Sequence, residues 1–368
     1  MMCLFSHAKR EKPETPKTKH QTPSMRILIL TPGFAASEQD YNCIPPMQLF
    51  VRALQKKGME VQVVALEYPF RNEPQDWHGA TVISANGQNR RWLRWRTWSR
   101  AFRYAEHIIQ TNKVDMLHSF WLGPAWVIGE RLVQKWQIPH WTTLMGQDAR
   151  AGNRYLRRLQ PKHAGRLIAL SPFHADVFEQ STGLEAAHLI PWGVDTLEAP
   201  DTLPTERTLD VLGVGSLIPV KNWDKWLHTI TLAKKEIPLL RAELIGDGVL
   251  HSRLEKRAHQ LGLSETVRFT GSLPRPEVLA RMRQTKVLLH TSDYESFGFI
   301  LPEADLNACR LVATPVGIAP RMADCADDPA SLAKKVLAAI HQPLLSAPTL
   351  PYTIEKATDA YQRLYRLL

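Results

Sequence analysis

The stretch KVLLHTSDYESFGFILPEA (286–304) decides the fold, because it joins a buried strand, a short loop and the first turn of a helix. The apolar run ends at Thr291, and the loop that follows carries Glu295. Gly298 lets the backbone approach a ligand closely, and Pro302 is tolerated in a first helical turn because its missing N–H has no partner there. Since ligands bind parallel sheets at the carboxyl ends of their strands, the stretch predicts a ligand at this loop.

Short apolar runs alternate with longer helical patterns on both sides of this stretch. Continuous apolar strands separated by helices predict parallel sheets that are covered on both faces. The first half contains the runs RILILT (26–31), EVQVVAL (60–66), VDMLHS (114–119), IPHWTTLM (138–145), RLIALS (166–171) and AHLIPW (187–192). The second half contains LDVLGVGSL (209–217), RAELIG (241–246), VRFTG (267–271) and RLVATPVG (310–317) besides the opening stretch.

The pattern restarts near residue 208, after the polar, proline-containing segment TLEAPDTLPTERT (196–208). We therefore predict an α/β chain with two Rossmann-like, doubly wound domains, at residues 25–196 and 208–350, that face a central cleft. Residues 197–207 form the predicted linker. Residues 351–368 carry apolar side chains at helical spacing and predict an amphipathic helix, expected to pack back on the N-terminal domain. The Lys-, Pro- and Thr-rich beginning, residues 1–24, predicts a disordered tail.

Composition and charge narrow the class of protein. The 368 residues are 44% hydrophobic and 22% charged, as in globular proteins, and no apolar run approaches the roughly 18 residues of a membrane span. The beginning MMCLFSHAKR is too short an apolar stretch for a secretory signal, and the four cysteines have no CxxC spacing, so we expect a cytoplasmic protein. The formal charge of +10 fits a phosphate-rich ligand, an anionic membrane or nucleic acid equally well.

Two carboxylates flank the predicted ligand loop. Glu295 and Glu303 stand eight positions apart, and free amides at a helix start between them suit a phosphate. A carboxylate accepts two hydrogen bonds, which suits vicinal hydroxyls. Lys221, in the strand–loop–helix segment GVGSLIPVKNWDKWL (213–227), offers a cation to a diphosphate. The alternative is that both glutamates lie on a solvated helix face and that Lys221 is merely exposed.

Four segments in this order resemble the family 4 glycosyltransferases, which have the GT-B architecture of two Rossmann-like domains. They are IPWGVD (190–195), GSLIPVKN (215–222), GDG (246–248) and ESFGFILPE (295–303), the last with the family's two glutamates separated by seven residues. ILTPGF (29–34) and TLMGQD (143–148) match more loosely. The resemblance covers about residues 25 to 368 and implies retaining transfer of a sugar from a nucleotide-sugar donor to a glycan, lipid-linked or other acceptor.

The resemblance also implies roles for individual residues. Glu295 and Lys221 would be catalytic, Glu295 holding donor-sugar hydroxyls and Lys221 neutralising the leaving diphosphate, while Glu303 would hold the ribose hydroxyls. The other implied donor-binding residues are Phe297, Gly298, Gly215, Ser216, Gly246 and Gly33. Charge that develops on a leaving diphosphate is stabilised by preorganised cations and N–H dipoles. Because the chain contains no Asp-x-Asp, we expect neither a metal ion nor another cofactor.

Some positions depart from the family pattern. Ser216 replaces an arginine, Met145 replaces a histidine that would contact the donor sugar, and Ile318 and Arg321 replace a glycine and a glutamate. Arg321 is a candidate for the missing cation. The departures support an alternative, a non-catalytic relative that binds a nucleotide sugar or a partner protein. A third hypothesis, a nucleic-acid-binding protein, rests on the positive charge alone. Because the sequence has no zinc-finger or RNP-like motif, we expect no nucleic-acid partner.

Three residues of the N-terminal domain are acceptor candidates. His118 and Trp121 lie in HSFWLGP (118–124), directly after a predicted strand, and Asp148 belongs to the TLMGQD match. This position would face an acceptor across the cleft. The alternative for His118 is a structural role, because a lone histidine at a strand end is more often part of the core.

The stretch NRRWLRWRTWSRAFRYAEHII (89–109) is rich in tryptophan and arginine. One helical face would carry Trp92, Trp95, Trp98, Phe102, Ala105 and Ile109, and the other Arg96, Arg100 and Arg103. This pattern is typical of a basic amphipathic helix on an anionic membrane, here the inner membrane face. A second cluster lies in the same domain: Arg150, Arg154, Arg157, Arg158, Lys162 and Arg166. The alternative is an ordinary surface helix whose apolar face packs on its sheet.

Overall fold

Two β-sheets with helices on their faces organise the computed structural model, which describes residues 25–41 and 43–367. The predicted disordered tail, residues 1–24, lies outside the described residues. Most strands of each sheet coincide with the apolar runs recognised in the sequence, whose apolar side chains are largely buried; β3, β4 and β14 lie outside those runs. The predicted GT-B fold, two parallel-sheet domains, is therefore confirmed.

The N-terminal sheet has eight strands in the order β3-β4-β2-β1-β5-β6-β7-β8. All neighbours pair in parallel except β3 and β4, which form an antiparallel hairpin at one edge. The strands are β1 (Arg26–Gly33), β2 (Glu60–Tyr68), β3 (Gln75–Trp77), β4 (Ala80–Ser84), β5 (Met116–Phe120), β6 (His140–Thr143), β7 (Leu167–Ala169) and β8 (His188–Leu189).

The C-terminal sheet has six parallel strands in the order β11-β10-β9-β12-β13-β14. They are β9 (Leu209–Val214), β10 (Ala242–Ile245), β11 (Val267–Gly271), β12 (Thr285–His290), β13 (Arg310–Ala313) and β14 (Asp324–Cys325). The strand order reverses at β9, between β10 and β12, and a crevice forms outside the carboxyl ends of such strands. The loops that follow β9 and β12 carry Lys221 and Glu295 to this crevice.

Eleven α-helices connect the strands within the described residues. They are α1 (Pro45–Lys56), α2 (Arg94–Asn112), α3 (Pro124–Trp136), α4 (Pro161–Ala164), α5 (Pro172–Thr182), α6 (Trp223–Glu236), α7 (His251–Gln260), α8 (Arg275–Arg283), α9 (Ile300–Leu306), α10 (Pro329–His341) and α11 (Ile354–Tyr365). Several begin with a side-chain cap, as where Ser171 accepts from His174 N at the start of α5 and Asp328 accepts from Ser331 N at the start of α10. None of these helices is long and apolar enough to cross a membrane.

The last helix returns to the N-terminal sheet, as expected. The backbone crosses at a parallel bridge between Val194 and Thr353, and α11 then packs against α1. Tyr361 and Tyr365 are buried there, and Tyr361 lies edge-on to Phe50 of α1 with ring centroids 4.8 Å apart. The C-terminal helix therefore completes the core of the domain in which the chain begins.

The tryptophan-rich helix packs through a different face from the one predicted. Its buried side chains are Thr97, Ala101, Ala105, Ile108 and Ile109. The prediction grouped Ala105 and Ile109 with the tryptophans, but Trp92 and Trp95 are 71% and 78% exposed. Small and β-branched residues fit the close approach of α2 to the sheet. The indoles of Trp92 and Trp95 stay outside the core, whereas Trp98 packs partly against it.

Candidate functional site

The loop after β12 holds Glu295 by one carboxylate oxygen. Its Oε1 accepts hydrogen bonds from Lys221 Nζ at 2.5 Å, Ser292 Oγ at 2.9 Å and His290 Nε2 at 3.1 Å. No described residue donates to the second oxygen, Oε2. Three donors on one oxygen therefore fix the orientation of the carboxylate and leave the second oxygen available to a ligand.

The electrostatic surroundings keep Glu295 ionised. Burial alone would raise the pKa of this carboxyl, but the hydrogen bond from His290 and the charge of Lys221 outweigh it and lower the pKa to about 2. The side chains of Lys221 and Glu295 are 23% and 15% exposed. The pair is therefore a mostly desolvated cation and anion that remain reachable from one side.

Glu303 lies eight residues after Glu295 in the sequence, in α9, and has a different partner. Its Oε1 accepts from Arg275 Nε at 2.8 Å, while the two terminal nitrogens of Arg275 bind both oxygens of Glu198 at 2.6 and 2.7 Å. Burial raises the pKa of Glu303 although Arg275 opposes the shift. As at Glu295, no described residue donates to the second oxygen of this carboxylate.

Between the two glutamates the backbone turns sharply at Gly298, whose φ is +90°. The turn exposes the N–H groups of Phe297, Gly298 and Phe299, which donate to no acceptor within the described residues. Gly317 (φ +60°) packs against the carbonyl of Phe297, which accepts a hydrogen bond from Ile318 N, so the opposite side of the turn is fixed. Successive free amides in such a turn form an anion-binding concavity.

The glycines after β9 and β10 position the Lys221 loop. A methyl group at Gly246 would overlap the carbonyl oxygen of Gly215, and Gly246 has a φ of +143°. Gly246 therefore lets two strand-end turns touch, and the direct donor contact expected of it stays a prediction. Ser216 is exposed in the same loop, where its carbonyl accepts from Trp223 Nε1 at 3.0 Å.

Two residues on either side of Glu295 bind the facing domain. Tyr294 donates its hydroxyl proton to Gly146 O at 2.8 Å, and Ser296 Oγ donates to Met145 O at 2.7 Å. The guanidinium of Arg150 lies 4.8 Å from the centre of the Tyr294 ring. These contacts hold the glutamate loop directly against the loop that follows β6.

The facing loop contains the acceptor candidate Asp148, which is buried. Its oxygens accept from Leu122 N at 2.8 Å, Met145 N at 3.0 Å and Gly146 N at 2.6 Å. This carboxylate therefore shapes the loop through three amides and also lines the adjoining groove, so the expected acceptor contact stays a prediction. Trp121 (φ +67°) lines an open groove beside it together with Pro32 and Gly123. Gly33 follows Pro32 at the end of β1 and is buried against Tyr68.

His118 does not face an acceptor. The side chain is fully buried, with Nδ1 2.5 Å from Tyr365 Oη and Nε2 2.8 Å from Thr143 Oγ1. Burial, and secondarily the nearby His140, lowers its pKa well below 6.5. The acceptor prediction is thus corrected: His118 is a neutral residue that anchors α11 to the N-terminal sheet.

Sequence reasoning missed four participants of the site, and it wrongly placed His118 at the acceptor position. His290, Ser292, Arg275 and Tyr294 went unnoticed, although the polar end of the apolar run before Asp293 was a usable signal for the first two. Arg275 and Glu198 meet only in space and gave no signal. Arg321 lines a separate cavity with Asp305 and Arg310, and no contact within the described residues joins it to Lys221.

Comparisons with known proteins agree with this geometry. The family model described as Glycosyltransferase Family 4 matches residues 47–197, and the model described as Glycosyl transferases group 1 matches residues 196–347. An uncharacterised glycosyltransferase of Methanocaldococcus jannaschii is 27% identical over 223 residues, 59% of this chain and 60% of that protein. The chain spans smaller shares, between 20% and 42%, of five other curated relatives.

Solved structures share the fold over nearly the whole chain. Sucrose-phosphate synthase from Thermosynechococcus elongatus superposes with a TM-score of 0.70 at 16% identity, covering 93% of this chain and 98% of that one. HepE of Anabaena, solved in complex with UDP and glucose, gives a TM-score of 0.67 at 16% identity and covers 94% of this chain and 100% of that one. At these identities the likeness concerns the fold alone.

Proposed function

This chain belongs to the family 4 type of glycosyltransferases with the GT-B fold, and we propose that it transfers a hexosyl or related sugar from a nucleotide-sugar donor to a hydroxyl acceptor. One observation carries the proposal. Glu295 and Glu303 each keep one carboxylate oxygen without a partner among the described residues, on either side of three free amides, and Lys221 contacts Glu295.

We propose one orientation for the donor, with its ribose at Glu303 and its sugar at Glu295. Glu303 accepts from the ribose hydroxyls, the amides of Phe297 and Gly298 receive the diphosphate, and Glu295 accepts from hydroxyls of the sugar. Breaking the glycosyl–phosphate bond transfers an electron pair to the leaving diphosphate, whose charge therefore grows. Lys221 stabilises that charge in a site where Coulomb interactions are stronger than in water.

We propose that the transfer retains the anomeric configuration and needs no metal ion. The chain has no Asp-x-Asp to hold one, and Lys221 together with the amide turn supplies positive potential at the place where a metal would act. The proposed acceptor, a glycan or a lipid-linked saccharide, enters the groove lined by Trp121 and Gly123 in the facing domain. We place the enzyme in the cytoplasm.

A donor screen tests the proposal. Purified protein is incubated with UDP-, GDP- and ADP-sugars, beginning with UDP-glucose because HepE was solved with UDP and glucose. A ligand that binds the folded state raises Tm, and the active donor releases its nucleoside diphosphate. Nucleotide binding without release from any donor would support a non-catalytic relative, and the absence of all nucleotide binding would refute the proposal.

Two substitutions separate the roles of the glutamates. We expect Glu303→Ala to weaken binding of the nucleoside diphosphate about tenfold or more, because it removes a charged acceptor for the ribose. Glu295→Ala should lower kcat more than nucleotide affinity, because its ligand is the sugar. Glu265→Ala, an exposed glutamate of the same domain, is the matched control. Unchanged nucleotide affinity in Glu303→Ala, measured by calorimetry, would contradict the ribose assignment.

A further inference from the structure

A patch of tryptophan and arginine lies on the outer surface of the N-terminal domain. Trp95 and Trp98 of α2 share a groove of about 400 Å³ with four arginines, Arg94, Arg154, Arg157 and Arg158. Trp92, one turn earlier, is 71% exposed. We call Trp92, Trp95, Arg94, Arg154, Arg157 and Arg158 the tryptophan–arginine surface. The two basic stretches of the sequence therefore meet in space.

The charge of this surface is not compensated by the protein. Residues 88–105 contain six arginines and no acidic residue, and residues 149–175 contain five arginines, one lysine and no acidic residue. None of the four arginines of the surface forms an ion pair within the described residues, whereas Arg253 and Arg275 in the other domain bind carboxylates. An uncompensated positive patch attracts an anionic partner.

The tryptophans indicate which anionic partner fits. Trp95 is 78% exposed and its ring centroid lies 6.3 Å from that of Trp98, so large indole surfaces stand in water beside the arginines. Indoles concentrate at the headgroup level of bilayers, and arginines near such a surface each contribute electrostatic binding to anionic lipids. We infer that the tryptophan–arginine surface docks this protein on an anionic phospholipid membrane.

The location of the surface connects docking with the proposed reaction. Tyr155 lines the groove of the tryptophan–arginine surface and also the neighbouring groove that contains Trp121. Arg150, in the same loop, lies against Tyr294, the residue before Glu295. A docked molecule would therefore turn its acceptor groove toward the headgroups. This part of the inference rests on the proposed function and identifies the acceptor as a lipid-linked saccharide.

Vesicle sedimentation tests the docking itself. The full chain is mixed with vesicles of phosphatidylcholine alone, and with vesicles that contain roughly one third phosphatidylglycerol. We expect binding only to the anionic vesicles, and weaker binding as salt is raised, because ions screen exposed charges. Equal binding to both vesicles, or to neither, would overturn the inference.

Two variants and one control locate the contact. Arg154→Gln/Arg157→Gln/Arg158→Gln should lower the vesicle partition coefficient about a hundredfold, since each cation contributes about a factor of five. Trp92→Ser/Trp95→Ser should lower it independently at constant charge. The control Arg253→Gln/Lys256→Gln/Arg257→Gln removes the same charge from α7 in the other domain and should bind as the wild type does.

The outcomes distinguish docking from catalysis and from other polyanions. An equal loss in the α7 control would mean non-specific adsorption and would refute the assigned surface. Tight binding of a short RNA, without vesicle binding, would replace the membrane by nucleic acid. Nucleotide-sugar binding is measured in solution for every variant: its absence in the wild type would remove the proposed function and leave docking intact, whereas its retention shows that a non-docking variant is folded.

Discussion

At the scale of single residues, the orientation of one carboxylate determines what the site can bind. Lys221, His290 and Ser292 all donate to Oε1 of Glu295, so the side chain cannot rotate without breaking three hydrogen bonds. The sequence indicated separate roles for Lys221 and Glu295, but the two groups touch. In the proposed reaction, Lys221 would therefore contact both Glu295 and the leaving diphosphate, and no side chain would have to move to supply the cation.

The neutral state of His118 gives a pH-dependent prediction. Its native pKa is lowered by burial, whereas the unfolded chain titrates near 6.5, so acid protonates the unfolded chain first. The free energy of unfolding should therefore fall below about pH 6.5, by about 1.4 kcal/mol per pH unit for this one group.

Urea unfolding at several pH values measures this effect. Because other buried histidines such as His174, with a pKa of about 4, contribute in the same direction, the informative quantity is the difference from a variant. His118→Gln should be less stable at neutral pH but should lose stability less steeply on acidification. Parallel pH profiles for the two proteins would show that His118 is not the titrating group.

At the scale of elements, the sequence predicted the strands well because burial on both faces demands continuous apolar runs. It missed β3 (Gln75–Trp77), β4 (Ala80–Ser84) and β14 (Asp324–Cys325). β3 and β14 are short, partly polar and lie at sheet edges, and β4 forms a hairpin with β3. The predicted packing face of α2 was also wrong. Amphipathic spacing shows which residues of a helix are apolar, but it does not show that small residues rather than most of the indoles would fit against this sheet. The site was predictable where neighbours in sequence supply it, and not where Arg275 meets Glu198.

The contact between the β9 and β10 turns predicts a large effect of one methyl group. Gly246→Ala adds a side chain at φ +143° where it overlaps Gly215, so we expect a loss of about 3 kcal/mol in the free energy of unfolding. Gly262→Ala is the matched control, because Gly262 has a φ of +69° but open space around it, and should cost about 1 kcal/mol. Equal losses would mean that backbone strain alone, without the clash, explains both.

At the scale of the whole molecule, the two domains meet through the loop that carries Glu295. Tyr294 and Ser296 bind carbonyls of the facing domain, and Ser171 Oγ donates to Ser296 O at 2.6 Å. The glutamate that we assign to the sugar is therefore positioned by both domains together. The contacts between the domains and the position of Glu295 are therefore coupled in this structure.

Removing one of these contacts should slow turnover more than it lowers stability. Tyr294→Phe keeps the ring beside Arg150 but loses the hydrogen bond to Gly146, a net change of about 1 kcal/mol. We expect kcat/KM for the active donor to fall about fivefold, with Tm lowered by only a few degrees. Tyr104→Phe, at a partly buried tyrosine in the middle of α2, should change neither quantity. An unaffected kcat/KM in Tyr294→Phe would mean that this contact does not hold the site.

The docking of α11 has a consequence for the order of synthesis. Nδ1 of His118 contacts the hydroxyl of Tyr365, which lies 247 positions later in the chain, and the hydroxyl of Thr143 contacts that of Tyr361. Until α11 is synthesised, the core of the N-terminal domain would lack two tyrosine side chains, and His118 Nδ1 would lack the partner that it has in the complete fold. A premature stop codon that removed only α11 would therefore destabilise the N-terminal domain, although that domain is synthesised first. Proteases that degrade misfolded chains would then be expected to cleave the N-terminal domain.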